Sequence, residues 1–186
     1  MSVQYQKRYF NVDEYYRMAE VGLLSPDDRV ELIDGEIVEM SPIGCTHAGT
    51  VDRSSAFLHR TLGGAVQVRV QNPVRLNDFS EPQPDVVLLK PREDFYTKSH
   101  PTASDVLIVI EVADTSVNYD RNVKLALYAR AGIPEAWLMV LPKDLIEVHS
   151  QPENGKYQKV QRLKRGKTLV SPTMPTFSCK VEDLLG

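Results

Sequence analysis

Two runs of the chain, DVVLL at 85–89 and VLIVIEV at 106–112, are apolar and largely β-branched at nearly every position. Unbroken runs of this kind predict central strands covered on both faces. Other segments alternate instead. In AVQVRVQ (65–71), Val66, Val68 and Val70 fall on one side and Gln67, Arg69 and Gln71 on the other, the pattern of a half-buried strand. RVELIDGEIVEM (29–40) reads as two strands joined at Asp34-Gly35, a pair that readily takes the positive φ of a tight hairpin turn, and Ser41-Pro42 ends it. AWLMVL, LIEVHS and YQKVQRL predict a closing antiparallel meander.

The helical signals lie between these strands. Asn11 and Glu14 have the spacing of a capping box for a helix over VDEYYRMAEV, which Gly22 closes. From Thr46 to Leu62 the apolar positions Val51, Leu58 and Leu62 recur at helical spacing until Gly63-Gly64. A third helix is expected from about Arg121 to Ala131, with Asp120 as its N-cap, Gly132 past its end and Pro134 as a stop. VEDLLG at the end reads as a last helical turn. The segment NPVRLNDFSEPQP reads as a loop or edge, and KPREDFYTKSHPTASD as a polar, mobile link. Together these elements predict an α/β (α+β) fold: one mixed sheet flanked by helices, with an N-terminal hairpin and a C-terminal meander.

Composition narrows the picture. At 186 residues the chain suits a single domain, 1–186, with a real core. No stretch approaches the ~20 apolar residues of a membrane helix, so no membrane partner is expected. The first residues lack the apolar core of a secretory signal. Cys45 and Cys179 form neither a disulfide framework nor a metal knuckle, which points to a reduced, cytoplasmic setting. A formal net charge of −3 argues against a protein that coats nucleic acid, though not against one that meets it through a local patch.

The informative anomaly is charge in the two most apolar strands. Asp85 opens one directly after Pro84, and Glu111 sits near the end of the other. A carboxylate buried between two covered faces costs several kcal/mol unless it is paired, protonated or metal-bound. If the strands are neighbours, the two acids converge, and like charges that close raise one another's proton affinity. A divalent cation removes that conflict. Magnesium, with manganese as the alternative, takes one or two carboxylates and completes its shell with water and phosphate oxygens. A lysine is the natural third member, stabilising charge on a phosphoryl group. Its simplest place, two residues after the acid, holds Ala113; Lys124, on the following helix with Asp120 and Tyr128 one turn away, is the substitute.

Read in order, ELIDGEIVEMSP, PQPDVVLLKPRED, VLIVIEVADTS, YDRNVKLALYARAGIPEAWLM and MPTFSCKVEDLL resemble the Uma family of restriction endonucleases. That family was formerly a domain of unknown function and is common in cyanobacteria. The resemblance runs from about Tyr9 to Leu185. It implies the restriction-endonuclease-like fold of the PD-(D/E)XK nucleases, with Asp85 and Glu111 as metal ligands and the lysine moved to the helix as Lys124. Where members usually read Glu-Tyr-Trp, this chain has Glu135-Ala136-Trp137, a departure expected to affect packing.

Accessory candidates follow. His47 shares a helical face with Val51 and Leu58 and points at the sheet; Glu31 is an acid among the apolar residues of the first hairpin; Gln83, just before Asp85, is placed to orient a water. Each candidate has a plainer reading. Asp85 also suits a strand start, and Glu111 a structural ion pair with Arg69, Arg75 or Lys124. Lys124 also suits a solvated helix face, and His47 a helix cap. The stretch GKYQKVQRLKRGK carries six basic residues and no acid; it suits either a DNA-backbone contact or an edge strand defended by lysines.

The expected function is magnesium-dependent phosphodiester hydrolysis in DNA, with a homodimer where both strands of a duplex are cut. The alternative is a non-cleaving module that binds nucleic acid or a protein. A zinc hydrolase is a poor fit, because His47, His59, His100 and His149 make no ligand spacing.

Overall fold

The computed structural model describes residues 6–25 and 27–186. Six strands form the central sheet: β3 (Gln67–Val70), β4 (Val86–Leu89), β5 (Val106–Ala113), β6 (Glu135–Val140), β7 (Leu145–Glu153) and β8 (Lys156–Lys164), adjacent in that order. All neighbours pair antiparallel except β5 and β6, which run parallel through the helical crossover between them. The sheet is therefore mixed, and β6–β8 form the expected meander.

Strand alternation sorts the core into two layers. Val86, Leu88, Ile108, Ile110 and Val112 pack on one face against Val51 and Leu58 of α2 (Cys45–Leu62) and against Val181 and Leu184 of α5 (Val181–Leu185). Val87, Leu89, Val109 and Ala113 pack on the other, under Leu125 and Tyr128 of α4 (Leu125–Arg130). Both faces are covered, as the unbroken apolar runs require.

α1 (Val12–Glu20) starts at the expected capping box, with the Asn11 side chain accepting from the Glu14 amide at 2.8 Å and Glu14 accepting from the Asn11 amide at 3.1 Å. The hairpin β1 (Val30–Ile33) and β2 (Glu36–Glu39) turns at Asp34 and Gly35, both at positive φ, but it stands apart from the main sheet. Contacts to the 72–84 segment hold it, including the Glu81 amide donating to the Leu32 carbonyl at 2.8 Å. A second small sheet, β9 (Thr168–Val170) with β10 (Ser178–Lys180), adds Leu169 and Cys179 to the core.

Two sequence expectations need correction, and one pair of strands has no signal in the sequence pattern. Asp120 is not an N-cap: the helix begins earlier, as α3 (Val117–Tyr119), and passes through a π-turn at Asp120–Lys124 into α4. The Asp120 amide bonds to the Ser116 carbonyl at 2.9 Å, so Asp120 already lies inside the first turn. The 90–105 link is tied down rather than loose. Tyr96 is buried, donates its hydroxyl to the Lys90 carbonyl at 2.7 Å and carries Arg92 over its ring at 4.1 Å; Lys90 reaches the Ser104 carbonyl at 2.7 Å. The β9–β10 pair carried no clear alternation and was not anticipated.

Glu135 is fully buried yet satisfied. It accepts from the Trp137 indole at 2.6 Å and from the Ser171 hydroxyl and Thr173 amide at 2.8 Å each, which fixes the start of β6 against the C-terminal segment.

Candidate active site

The β4–β5 register opposes Val86 to Ile110, so the next position outward sets Asp85 beside Glu111 at one end of the sheet. The Val112 amide, just past Glu111, donates to Asp85 Oδ2 at 2.9 Å. Two further groups hold the same carboxylate. His47, in the first turn of α2, places Nε2 3.0 Å from Oδ2, and Gln71, just past β3, donates its side-chain amide to Oδ1 at 3.2 Å. Gln71 sits at φ 50°, a left-handed conformation for a non-glycine residue, and its amide bonds back to the Asp85 carbonyl. Burial pushes the Asp85 carboxyl up, but His47, the Val112 amide and Gln71 outweigh it and hold the group below its ordinary value. His47 is raised in turn by its bond to Asp85.

Glu111 lies one strand away and is 2% exposed. Its Oε1 accepts the Tyr128 hydroxyl at 2.5 Å and lies 3.4 Å from Lys124 Nζ. Lys124 also lies 3.2 Å from Glu31 Oε2, which accepts the Gln83 amide at 3.1 Å. The pair that holds Glu111 is therefore Lys124, while Arg69 bonds Asn72 and Arg75 pairs with Asp13 and Asp78. Gln83 lines the cleft, but its side-chain amide is engaged by the Val30 carbonyl at 3.3 Å.

Asp120 faces the same space, its carboxylate accepting from the Ser116 hydroxyl at 2.5 Å. The π-turn is what brings Asp120 and Lys124 inward together, both buried; such turns are frequent at functional sites.

Glu31, Asp85, Glu111 and Asp120 thus gather about Lys124 and His47 in a cleft of about 670 Å³, whose walls also carry Asp28, Arg29, Glu39 and Asp114. The imbalance shows in the titration. Burial, reinforced by Asp85 and Asp120, pushes Glu111 up to about 8 despite Lys124 and Tyr128. Burial likewise raises Asp120. It opposes the Lys124 charge, but Glu111, Glu31, Asp120 and Asp85 outweigh it and drive the ammonium's proton affinity upward.

This donor set fits a divalent cation. The hydrogen bond from Tyr128 and the ion pair with Lys124 both fall on Glu111 Oε1, leaving Oε2 with no hydrogen-bond partner among the described residues where Glu111 lines the cleft. Among the described residues no three His, Cys, Asp or Glu side chains form a ready metal cage. Magnesium binds through one or two carboxylates and keeps waters and phosphate oxygens for the rest of its shell.

Asp85, Glu111, Lys124, Glu31, His47, Asp120 and Tyr128 converge here, and Gln83 contributes chiefly its backbone. Sequence reasoning misses Gln71 as a site residue: the alternation sets it opposite the valines of a half-buried strand, and only the strand order reveals that β3 ends beside Asp85.

Residues 12–182 match the model of the Uma2 family, described as "Putative restriction endonuclease". The chain belongs to the Uma2 family. It is similar in fold to a crystal structure described as a putative nuclease belonging to DUF820 from Anabaena variabilis, with a TM-score of 0.70 at 14% identity over 95% of this chain and 97% of that one. No curated protein sequence matches it. The family match supports a nuclease, and Ala136 is fully buried in the layer under α4. No helix among the described residues is long and apolar enough to cross a membrane.

Proposed function

We propose that this Uma2 protein is a magnesium-dependent endonuclease of the PD-(D/E)XK type that hydrolyses phosphodiester bonds in DNA. Asp85 and Glu111 hold the cation, manganese serving as a substitute, and Lys124 acts on the transferring phosphoryl group. The observation that carries this reading is the meeting of these three side chains, from three separate elements, at one cleft.

The cation, when bound, polarises a phosphoryl oxygen and lowers the pKa of its water. The protein's own groups do the rest. Val112, His47 and Gln71 keep Asp85 ionised and fixed in orientation. Tyr128 and Lys124 hold Glu111, and Glu31 aims Lys124 from the opposite side. A lysine so held presents a fixed positive charge where negative charge grows on the phosphoryl oxygens, with little reorganisation during the reaction. Its burial strengthens that interaction by excluding water. One such centre cuts one strand, so a symmetric pair of chains serves both strands of a duplex.

The test is nicking of supercoiled DNA in magnesium and in chelator, by the wild type and by Asp85→Ala and Glu111→Ala. Cleavage in magnesium alone, lost in both variants, supports the reading. Cleavage that survives both substitutions overturns it, and binding without product in any metal leaves a non-cleaving module instead.

A further inference from the structure

Register carries the row of the candidate site sideways across the sheet. Glu111 of β5 pairs with Leu138 of β6, Leu138 with Glu147 of β7, and Glu147 with Arg162 of β8. Leu138 packs in the layer under α4, and Glu147 reaches Arg121 of the π-turn, so the whole row lies on the face that Glu111 and Lys124 share.

At its far end stands a second built cluster. Glu147 is 3% exposed and accepts from Arg121 Nε at 3.1 Å through one oxygen and from Arg162 Nε at 2.9 Å through the other; His149 Nε2 lies 3.3 Å from it. Burial pushes His149 down, leaving two guanidinium charges against one carboxylate. Each arginine uses only Nε for this contact, and among the described residues the terminal nitrogens of both have no other hydrogen-bonding partner. A guanidinium held by Nε keeps its outer donors pre-aimed, the arrangement that suits a phosphate. The Arg162 side chain is 64% exposed and belongs to the 155–167 stretch, which holds six basic residues and no acid in a chain of net charge −3.

We propose that Arg121 and Arg162, set by Glu147, anchor a backbone phosphate of the nucleic-acid strand whose scissile bond lies in the Glu111–Lys124 cleft. The placement rests on the nuclease reading for the position of the scissile bond. Strands lie about 4.8 Å apart, so Arg162 is displaced roughly 14 Å from Glu111 across three strand spacings. At the roughly 3.4 Å axial rise per nucleotide of a stacked strand that is roughly four nucleotides, and fewer where the strand is extended. The anchor therefore engages a substrate long enough to reach it and leaves a shorter one untouched.

The experiment measures binding by fluorescence anisotropy in chelator, so that turnover plays no part. A labelled single-stranded 12-mer and a 3-mer are titrated against the wild type, Arg162→Ala and Arg121→Ala/Arg162→Ala, each first shown to melt cooperatively. Arg162→Ala is expected to weaken the 12-mer about 5- to 10-fold and to reduce its salt slope by about one, with the 3-mer unchanged. The double variant is expected to weaken it further. Equal affinity and slope for the 12-mer in wild type and Arg162→Ala overturns the anchor, as does a wild type that does not bind the 12-mer. Inorganic phosphate supplies the other arm: if it raises the wild-type melting point, Arg162→Ala abolishes that rise and 12-mer affinity is unchanged, the cluster takes free phosphate and the anchor is again overturned. A wild type that binds through Arg162 yet never cleaves in magnesium sinks the nuclease reading and leaves the anchor standing.

Discussion

Lys124 Nζ lies 3.4 Å from Glu111 Oε1 although thirteen positions of chain separate them, and both side chains are nearly sealed from solvent. A buried pair of this kind is weak evidence for stability in itself, because desolvation offsets much of its Coulombic attraction. Breaking it is another matter.

Lys124→Met keeps the volume of the stem and removes the charge. Above pH 8, where Glu111 is ionised, it leaves Glu31 and Glu111 buried without their cation, which costs about 3–5 kcal/mol in the metal-free protein. Denaturant unfolding in chelator checks this. The loss is expected to shrink in magnesium, since a bound cation repairs part of the imbalance, and cleavage is expected to stay low in both conditions.

The pH dependence follows from Glu111. Its folded-state value near 8 lies above the ordinary 4.5, so between the two the native chain holds a proton that the unfolded chain has released. Stability in chelator therefore falls as pH rises through that window, by up to about 1.4 kcal/mol per pH unit from this group. His47, raised by Asp85, adds loss of the same sign above its ordinary 6.5. Glu111→Gln isolates the first contribution: its stability curve is expected to be flatter from pH 5 to 8. Unfolding midpoints across this range for both proteins make the comparison, and identical slopes would refute it.

Much of this site was legible in the sequence because charge inside an apolar run is conspicuous. Asp85 and Glu111 stood out for that reason, and Lys124 followed from the empty lysine place at Ala113. The strand pattern was equally readable where the apolar rhythm was long, as in β5 and the meander. What could not be read depends on long-range pairing. Gln71 reaches Asp85 only because β3 lies beside β4, and Arg162 enters the row of Glu111 only through two intervening strands. The π-turn has no local signature either: Asp120 has the right chemistry for an N-cap, and only the earlier start of the helix at Val117 assigns it elsewhere.

His47 and Gln71 are expected to tune the metal rather than bind it. Groups that orient a ligating carboxylate typically change affinity by 10–100-fold when removed. His47→Ala and Gln71→Ala should therefore weaken magnesium binding by about that factor. His47→Ala should also raise the Asp85 pKa, because the His47 bond is the largest influence holding it down. Calorimetry from pH 3 to 7 reads both effects, and unchanged affinity in both variants would assign these residues to packing alone.

The central claim is that Asp85 and Glu111 together hold one divalent cation. Magnesium titrated calorimetrically into the wild type, Asp85→Asn and Glu111→Gln at pH 8, each checked for cooperative unfolding, tests it directly. Saturable binding of magnesium by the wild type, weakened at least tenfold in each variant, is the predicted result. Wild-type affinity retained in either variant, or no binding by the wild type, would contradict it.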